Sequence, residues 1–528
     1  MAAPSKTYPT LGVDPLPSRT SWCRDPQVPG RLIREADACG RVCDVMNLLR
    51  PGDDNIWVGI YVVLADPLAP VTLIALLKKA WALVRWEVPT IGAITVHEPQ
   101  PGHALPKSCI AYDPVKGQDD LDAWLAESVQ MHEGVNDLHE LRYVLGPTPT
   151  PARIGDVQTI LRVCPMAEGK FGLIFNSSHL AFDGGGVKSV LTRLLGHLTS
   201  MLRNPGYSNQ LAHLQWGQEI DNLLPGHSDV LGDSEDVSFA EDTANKVMAV
   251  LAEKMPTYHP LVSVNQPLYP GIENKTRHLD HTFTLEETAA LKAACKVSAT
   301  NPTKVSMNHL GAPPDFLFPP VANPIRTVQG ALCLLVLLDN PPAPDSTSNL
   351  IFWGMVGGRK RLRPPYNATG AYPGICITMS DLVVPAVLPP GNTKAQVLHL
   401  ARAMKSEYER QAALPGIVAA ADDIADGLAA MMAASEEPLA MPVYSGDGIA
   451  EDELQTRYPK EGQVVMEIED IMVSGNHSDP GPSCRATQWK GRVKIAMDVN
   501  VLAVREEVAE GWLKTWVDLL LAAADLPS

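Results

Sequence analysis

Apolar positions along the chain follow two rhythms, and the switches between them mark out the elements. The run NIWVGIYVVLA over 55–65 is apolar and rich in β-branched residues, which predicts a strand. Pro70 then opens a stretch to residue 87 with helical spacing of apolar positions, with Lys78 and Lys79 on its polar side. TILRVC (159–164) and FGLIFNS (171–177) read as two strands of a hairpin joined by a short Ala-Glu-Gly-Lys turn. The second strand runs directly into HLAFDGGG. A helix follows over 187–203, and Asn204-Pro205 ends it.

The second half repeats the alternation. HTFTLEETAALKAAC (281–295) predicts a strand leading into a helix, with Thr284 as its cap and Glu287 reaching back to it. TVQGALCLLVLL (327–338) is apolar all round and reads as a buried helix. Strands are expected over 350–358, 375–384, 464–474 and 492–501, and helices over 394–412, 416–434 and 506–524. No fixed internal period and no low-complexity tract appear. The expected organisation is an α/β protein of two lobes, each a mixed β-sheet with flanking helices. Residues 1–205 form the first lobe, opening on an irregular Pro- and Ser-rich arm. Residues 206–275 connect, interrupted by a helical pattern from Glu241 to Lys254. Residues 276–528 form the second lobe, with a crossover segment near 465–485.

Composition narrows the partners. At 528 residues with 45% hydrophobic and 20% charged residues, the chain is ordinary globular material, large enough for a sizeable core. The 60 acidic residues against 43 basic ones give a net charge of -17. Nucleic acid and anionic membranes are therefore poor partners, since both require Lys and Arg. Nine scattered cysteines without a CxxC pair imply a reducing, cytoplasmic setting and no disulfide framework. The first residues carry no apolar signal core, and the longest apolar run, Ala331 to Leu338, is too short to span a bilayer.

The candidate chemistry lies in Ser178-His179-Leu180-Ala181-Phe182-Asp183-Gly184-Gly185-Gly186. HxxxD by spacing alone is a weak signal. Its context strengthens it: the histidine ends a buried strand, the aspartate follows one turn later, and glycines permit tight passage into a helix. The imidazole is thereby set at a sheet edge, where a cleft can form. Glycine triplet and surroundings fail both GxGxxG and GxxxxGK[ST], so no phosphate loop is expected. No GxSxG elbow is present, and Ser177, Ser178 and His179 on a strand cannot all share a face, which disfavours a serine hydrolase. Neither HExxH nor zinc-type Cys/His spacing occurs, so no metal is expected.

Strand, HxxxDG and helix together resemble the chloramphenicol-acetyltransferase-like clan, which includes plant BAHD acyltransferases, peptide-synthetase condensation domains and fungal O-acetyltransferases. Gly354-Met-Val-Gly-Gly-Arg359-Lys-Arg361-Leu-Arg363-Pro364-Pro365 followed by Ala371-Tyr372-Pro373-Gly374 is similar to that clan's strand, Arg-rich turn and Pro-Pro stretch. Thr327-Val328-Gln329-Gly330-Ala331 resembles the start of the preceding helix. Length and spacing most resemble fungal trichothecene 15-O-acetyltransferases. The BAHD signature DFGWG is missing; Ile471 to Asn476 stands nearest to its position.

The resemblance implies a chloramphenicol-acetyltransferase-like fold with an active-site tunnel between the lobes. It implies an O-acyltransferase that moves an acetyl or other short acyl group from acetyl-CoA to a hydroxyl of a secondary metabolite such as a terpenoid. His179 is the general base, a role that suits histidine as a residue type, since a hydroxyl is a poor nucleophile on its own. Asp183, Gly184 and Arg359 support the site, Asp183 pairing with Arg359 rather than touching substrate. Ser474 is a candidate oxyanion or substrate contact. Lys360, Arg361 and Arg363 are candidates for the CoA phosphates. The co-substrate is acyl-CoA, no cofactor is permanently bound, and the protein acts as a monomer. Two alternatives stay open: a condensation-type enzyme using a carrier-protein thioester or an amine acceptor, and a non-catalytic CoA- or metabolite-binding protein of the same fold.

Overall fold

A computed structural model describes residues 19–102, 105–148, 150, 155–269, 273–299, 324–435 and 438–527. The first lobe is built on a six-stranded sheet in the order Arg457–Tyr458, Met466–Gly475, Asn55–Leu64, Lys170–Ser178, Thr159–Pro165, Val129–Met131. Its middle strands are antiparallel, with Thr159 opposite Ser177 and Asn55 opposite Ser178. Alternation along Lys170–Ser178 divides the two faces. Phe171, Leu173 and Phe175 join the core under helices Pro70–Glu87 and Gly184–Arg203, together with Trp81 and Phe182. Ile174 turns the other way, into a cluster with Trp57, Leu138 and Met472. Full burial of each large apolar side chain contributes about 1.5–3 kcal/mol, so this core holds the strand that carries His179 rigidly.

The strand Met466–Gly475 comes from late in the chain yet pairs with Asn55–Leu64, placing Ser474 opposite Trp57. It crosses from the second lobe into the sheet of the first. The second lobe has its own four-stranded sheet in the order Val443–Ile449, Ser483–Trp489, Arg492–Asn500, Thr276–Thr282. Helices Pro324–Asp339, Thr393–Ala412 and Glu506–Ala523 contribute to its core. A separate hairpin, Asn349–Gly357 with Ile377–Pro385, carries the Arg359 turn between its strands. A third cluster joins helix Ala38–Leu49 to helices Ala240–Lys254 and Ala421–Ala434. The connecting region is thus packed into the body through its helix.

Expected elements and observed ones agree where periodicity was strong. The capping box forms: Thr284 N donates to Glu287 Oε2 at 2.7 Å, and Glu287 N donates to Thr284 Oγ1 at 3.1 Å. Three helix starts differ by three residues or more, the one expected from Thr327 beginning at Pro324. The helix expected from residue 187 begins at Gly184, because Asp183 caps it. The one expected from Gly416 begins at Ala421. Gly416 sits at φ +59, and the amides of Val418 and Ala419 bond the Glu235 carboxylate instead of helical carbonyls. All nine cysteines are free, and all but Cys23 are buried. Among the described residues no helix is long and apolar enough to cross a membrane.

Candidate active site

His179 follows the last residue of the strand Lys170–Ser178 and is half-buried. Its Nδ1 is buried with no hydrogen-bond partner. Both backbone and side chains fix the turn that presents it. Leu180 N donates to Ser178 Oγ at 3.3 Å. Ile375 N, from the hairpin of the other lobe, donates to Ala181 O at 3.2 Å. Phe182 is fully buried with its ring at 84° to Phe175, centroids 5.5 Å apart.

Asp183 does three things at once. Its Oδ1 accepts from Gly186 N at 2.8 Å, which caps the following helix, and from Arg359 Nη2 at 2.5 Å. Its Oδ2 accepts from Cys376 N at 2.9 Å. Burial by itself would raise the Asp183 pKa. The Arg359 charge and hydrogen bond, with the two amides, outweigh it and hold the carboxyl below its ordinary value. Arg359 also donates to Tyr372 O at 2.9 Å and Gly374 O at 2.7 Å. Both carboxylate oxygens of the aspartate are engaged by these contacts. Asp183 is a clamp that ties the histidine turn to the opposite lobe.

The glycines divide differently from expectation. A Cβ on Gly184 would meet nothing within 4 Å, so Gly184 is not the tight position. A Cβ on Gly185 would lie 2.9 Å from Arg359 Nη1, and one on Gly186 only 2.0 Å from the Pro373 carbonyl oxygen. Close approach of the Arg359 segment is what requires the small residues. Gly186→Ala should therefore cost about 1–3 kcal/mol or more by overpacking, whereas Gly184→Ala should stay within about ±0.5 kcal/mol. Denaturant midpoints of the two variants beside the parent check this; equal midpoints would refute the clamp geometry.

Of the remaining candidates, Ser474 and Arg361 are engaged by other partners. Ser474 is fully buried, and its hydroxyl donates to Asp498 Oδ1 at 2.6 Å while accepting from Arg142 Nε at 2.8 Å. Gly475 N donates to Asp498 Oδ2 and Asn476 N to Asn55 O. Neither the hydroxyl nor these amides are left to receive an oxyanion. Arg361 pairs with buried Glu235 at 2.6 Å. Lys360 is exposed and Arg363 half-buried, and neither has an ion pair among the described residues.

Sequence reasoning missed the group that Ser474 belongs to. Arg142 is completely buried and donates to Ser474 Oγ, Thr276 O, Gly475 O and Asn476 Oδ1 at 2.5–2.9 Å. Asp498, equally buried, accepts from Ser474, Gly475, His278 and Arg485. Burial opposes its ionisation, but His278, Arg485 and Arg142 together hold its pKa well below the carboxylate range. These groups come from the helix Leu138–Leu145 of the first lobe and from strands of the second lobe's sheet. Two open grooves, one beside Arg203 and Tyr458 and one beside Arg457 and Lys490, are not lined by His179.

The chain is similar to known proteins in sequence and in fold. The model of a family described as 15-O-acetyltransferase Tri3 matches residues 66–317, a span that includes His179 and Asp183. The chain is 24% identical over 472 residues to trichothecene 15-O-acetyltransferase TRI3 of Fusarium sporotrichioides, covering 83% of this chain and 81% of that protein. The solved TRI3 structure from the same organism superposes with a TM-score of 0.79 at 17% identity, over 97% of this chain and 100% of that one. The condensation domain of the monacolin K polyketide synthase MokA gives a TM-score of 0.60 at 11% identity, over 94% and 98% of the two chains.

Proposed function

We propose that this chain, an O-acetyltransferase with the two-lobed fold shared by TRI3 and the condensation domains, moves an acetyl group from acetyl-CoA to a hydroxyl of a terpenoid secondary metabolite. The reading rests on one observation: an imidazole with an unbonded Nδ1 ends the central strand, on a turn clamped to the facing lobe by the Asp183–Arg359 pair. His179 removes the hydroxyl proton as the oxygen attacks the thioester carbonyl. The tetrahedral intermediate then collapses, the thiolate leaves, and the proton on the ring returns to the sulfur. Holding both substrates in a tunnel between the lobes makes the attack effectively unimolecular, so no protein nucleophile is needed.

Lys360 and Arg363 are the cations we assign to the CoA phosphates, since Arg361 is held by Glu235. The enzyme acts as a monomer in the cytoplasm, where acyl-CoA is at hand. Incubation of the purified chain with acetyl-CoA and a panel of hydroxylated trichothecenes should release free thiol in step with acetyl ester. Turnover only with a carrier-protein thioester, or only with amines, would replace this reading by the condensation-type one. Acetyl-CoA binding without any turnover would leave a binding protein.

A further inference from the structure

We propose that His139, His278 and Asp280 form a binding site for a divalent transition-metal ion, Zn²⁺ by ligand type, that staples the two lobes together. His139 lies on the helix Leu138–Leu145, which packs on the sheet of the first lobe. His278 and Asp280 lie two apart on Thr276–Thr282, the edge strand of the second lobe's sheet, and so project from one face. One ligating atom from each of the three lies within 4.8 Å of the others. The two imidazole rings are 5.1 Å apart by centroid and tilted by 36°. Small side-chain rotations suffice to bring such atoms to the roughly 2.0–2.2 Å that zinc requires.

His278 is the observation that points to a ligand. Its Nδ1 stands 2.7 Å from Asp498 Oδ1, with the two side chains 1% and 0% exposed. Asp498 also faces Arg485 and so remains an ionised acceptor. With Nδ1 engaged in that contact, Nε2 is the ring nitrogen left to face an ion. That Nε2 is buried and without a hydrogen-bond partner. A ring packed there only for structure would leave the nitrogen desolvated and unpaired, which is destabilising. A carboxylate fixing the tautomer from behind while the other nitrogen is free is the arrangement that recurs behind metal-bound histidines.

The neighbouring cation sets a limit on affinity. Lys494 Nζ lies 2.7 Å from Asp280 Oδ2. It also holds Asp470 Oδ2 at 3.1 Å and Ile471 O at 2.9 Å, so it keeps partners while the second oxygen of Asp280 turns to an ion. His139 and Asp280 are half-buried, which leaves a route for the ion and room for a water as fourth ligand. Two nitrogens and one oxygen suit Zn²⁺ or Co²⁺ over the hard Mg²⁺ and Ca²⁺.

The untagged full chain, stripped with chelator, is titrated with Zn²⁺ by calorimetry and with Co²⁺ by visible absorption. One equivalent should bind, the melting temperature should rise with Zn²⁺, and Co²⁺ should develop the d–d bands of a low-coordinate N/O site. His139→Ala and Asp280→Asn, both at half-buried positions, should keep the circular dichroism of the parent and each weaken binding by about tenfold or more. Absence of stoichiometric binding, binding unchanged in both variants, or a loss confined to one of them each overturns the three-ligand site.

Discussion

Replacing His179 by alanine should leave a folded protein whose acetyl transfer has fallen by about 10²–10⁴-fold, the range general-base removal commonly costs. The two halves of that expectation have separate grounds. The ring is half-buried and its Nδ1 makes no hydrogen bond, so its loss breaks no internal network. The turn is held by other groups, through Ala181 O, Phe182 and the Asp183 carboxylate, and these stay in place. Free-thiol release measured beside a thermal melt separates the outcomes. Retained turnover with an intact melt would falsify the base assignment, whereas collapse of the melt would show that the ring is structural.

Asp498→Asn should be strongly destabilising. The carboxylate answers Arg485 and His278 directly and faces Arg142, and all of these are buried or nearly so. Removing one partner from a buried ionic group leaves the others uncompensated, a loss of about 3–5 kcal/mol. The same group makes the parent acid-labile in a defined sense. Its pKa is lowered in the folded state, so its contribution is complete above the unfolded value near about 3.9 and is lost as pH falls from there toward the folded value. Unfolding midpoints of parent and variant should therefore differ most at neutral pH and converge in acid. A constant difference across pH would mean that the charge is not what Asp498 contributes.

Much of the architecture was readable from pattern. The strands 55–64 and 170–178 and the helix 70–87 follow from apolar runs and a well-placed proline. The capping box at Thr284 and Glu287 was visible residue by residue. Helix Ala38–Leu49 and helix Leu138–Leu145 were not, and the reason is charge. Arg41, Asp44 and Arg142 look like solvent-facing residues by type, yet each is buried against partners distant in the chain: Asp422 for Arg41, Ser108 for Asp44, Ser474 for Arg142. Periodicity counts polar residues as exterior and so loses elements whose polar residues are internal.

The candidate site divides along the same line. His179 and Asp183 were legible because a strand, a five-residue motif and a helix are contiguous. The pairing of Asp183 with Arg359 entered through resemblance to a known clan and is present in the structure at 2.5 Å. Ser474 illustrates the opposite case: a serine in a strand has no signature that distinguishes an oxyanion donor from a link in a buried ionic network.

The amino-acid sequence by itself determined the local frame: which segments bury, which turn presents an imidazole, and that the surface is acidic. Local chemistry suffices for these, since strand alternation, helix caps and tight turns depend on residues only a few positions apart. Tertiary structure alone decided which buried polar groups meet. Arg142, His278 and Asp498, and the meeting of His139 with His278 and Asp280, are assembled from elements more than a hundred residues apart. Their ionisation and their partners are fixed by distance and burial in space, and no spacing along the chain encodes either.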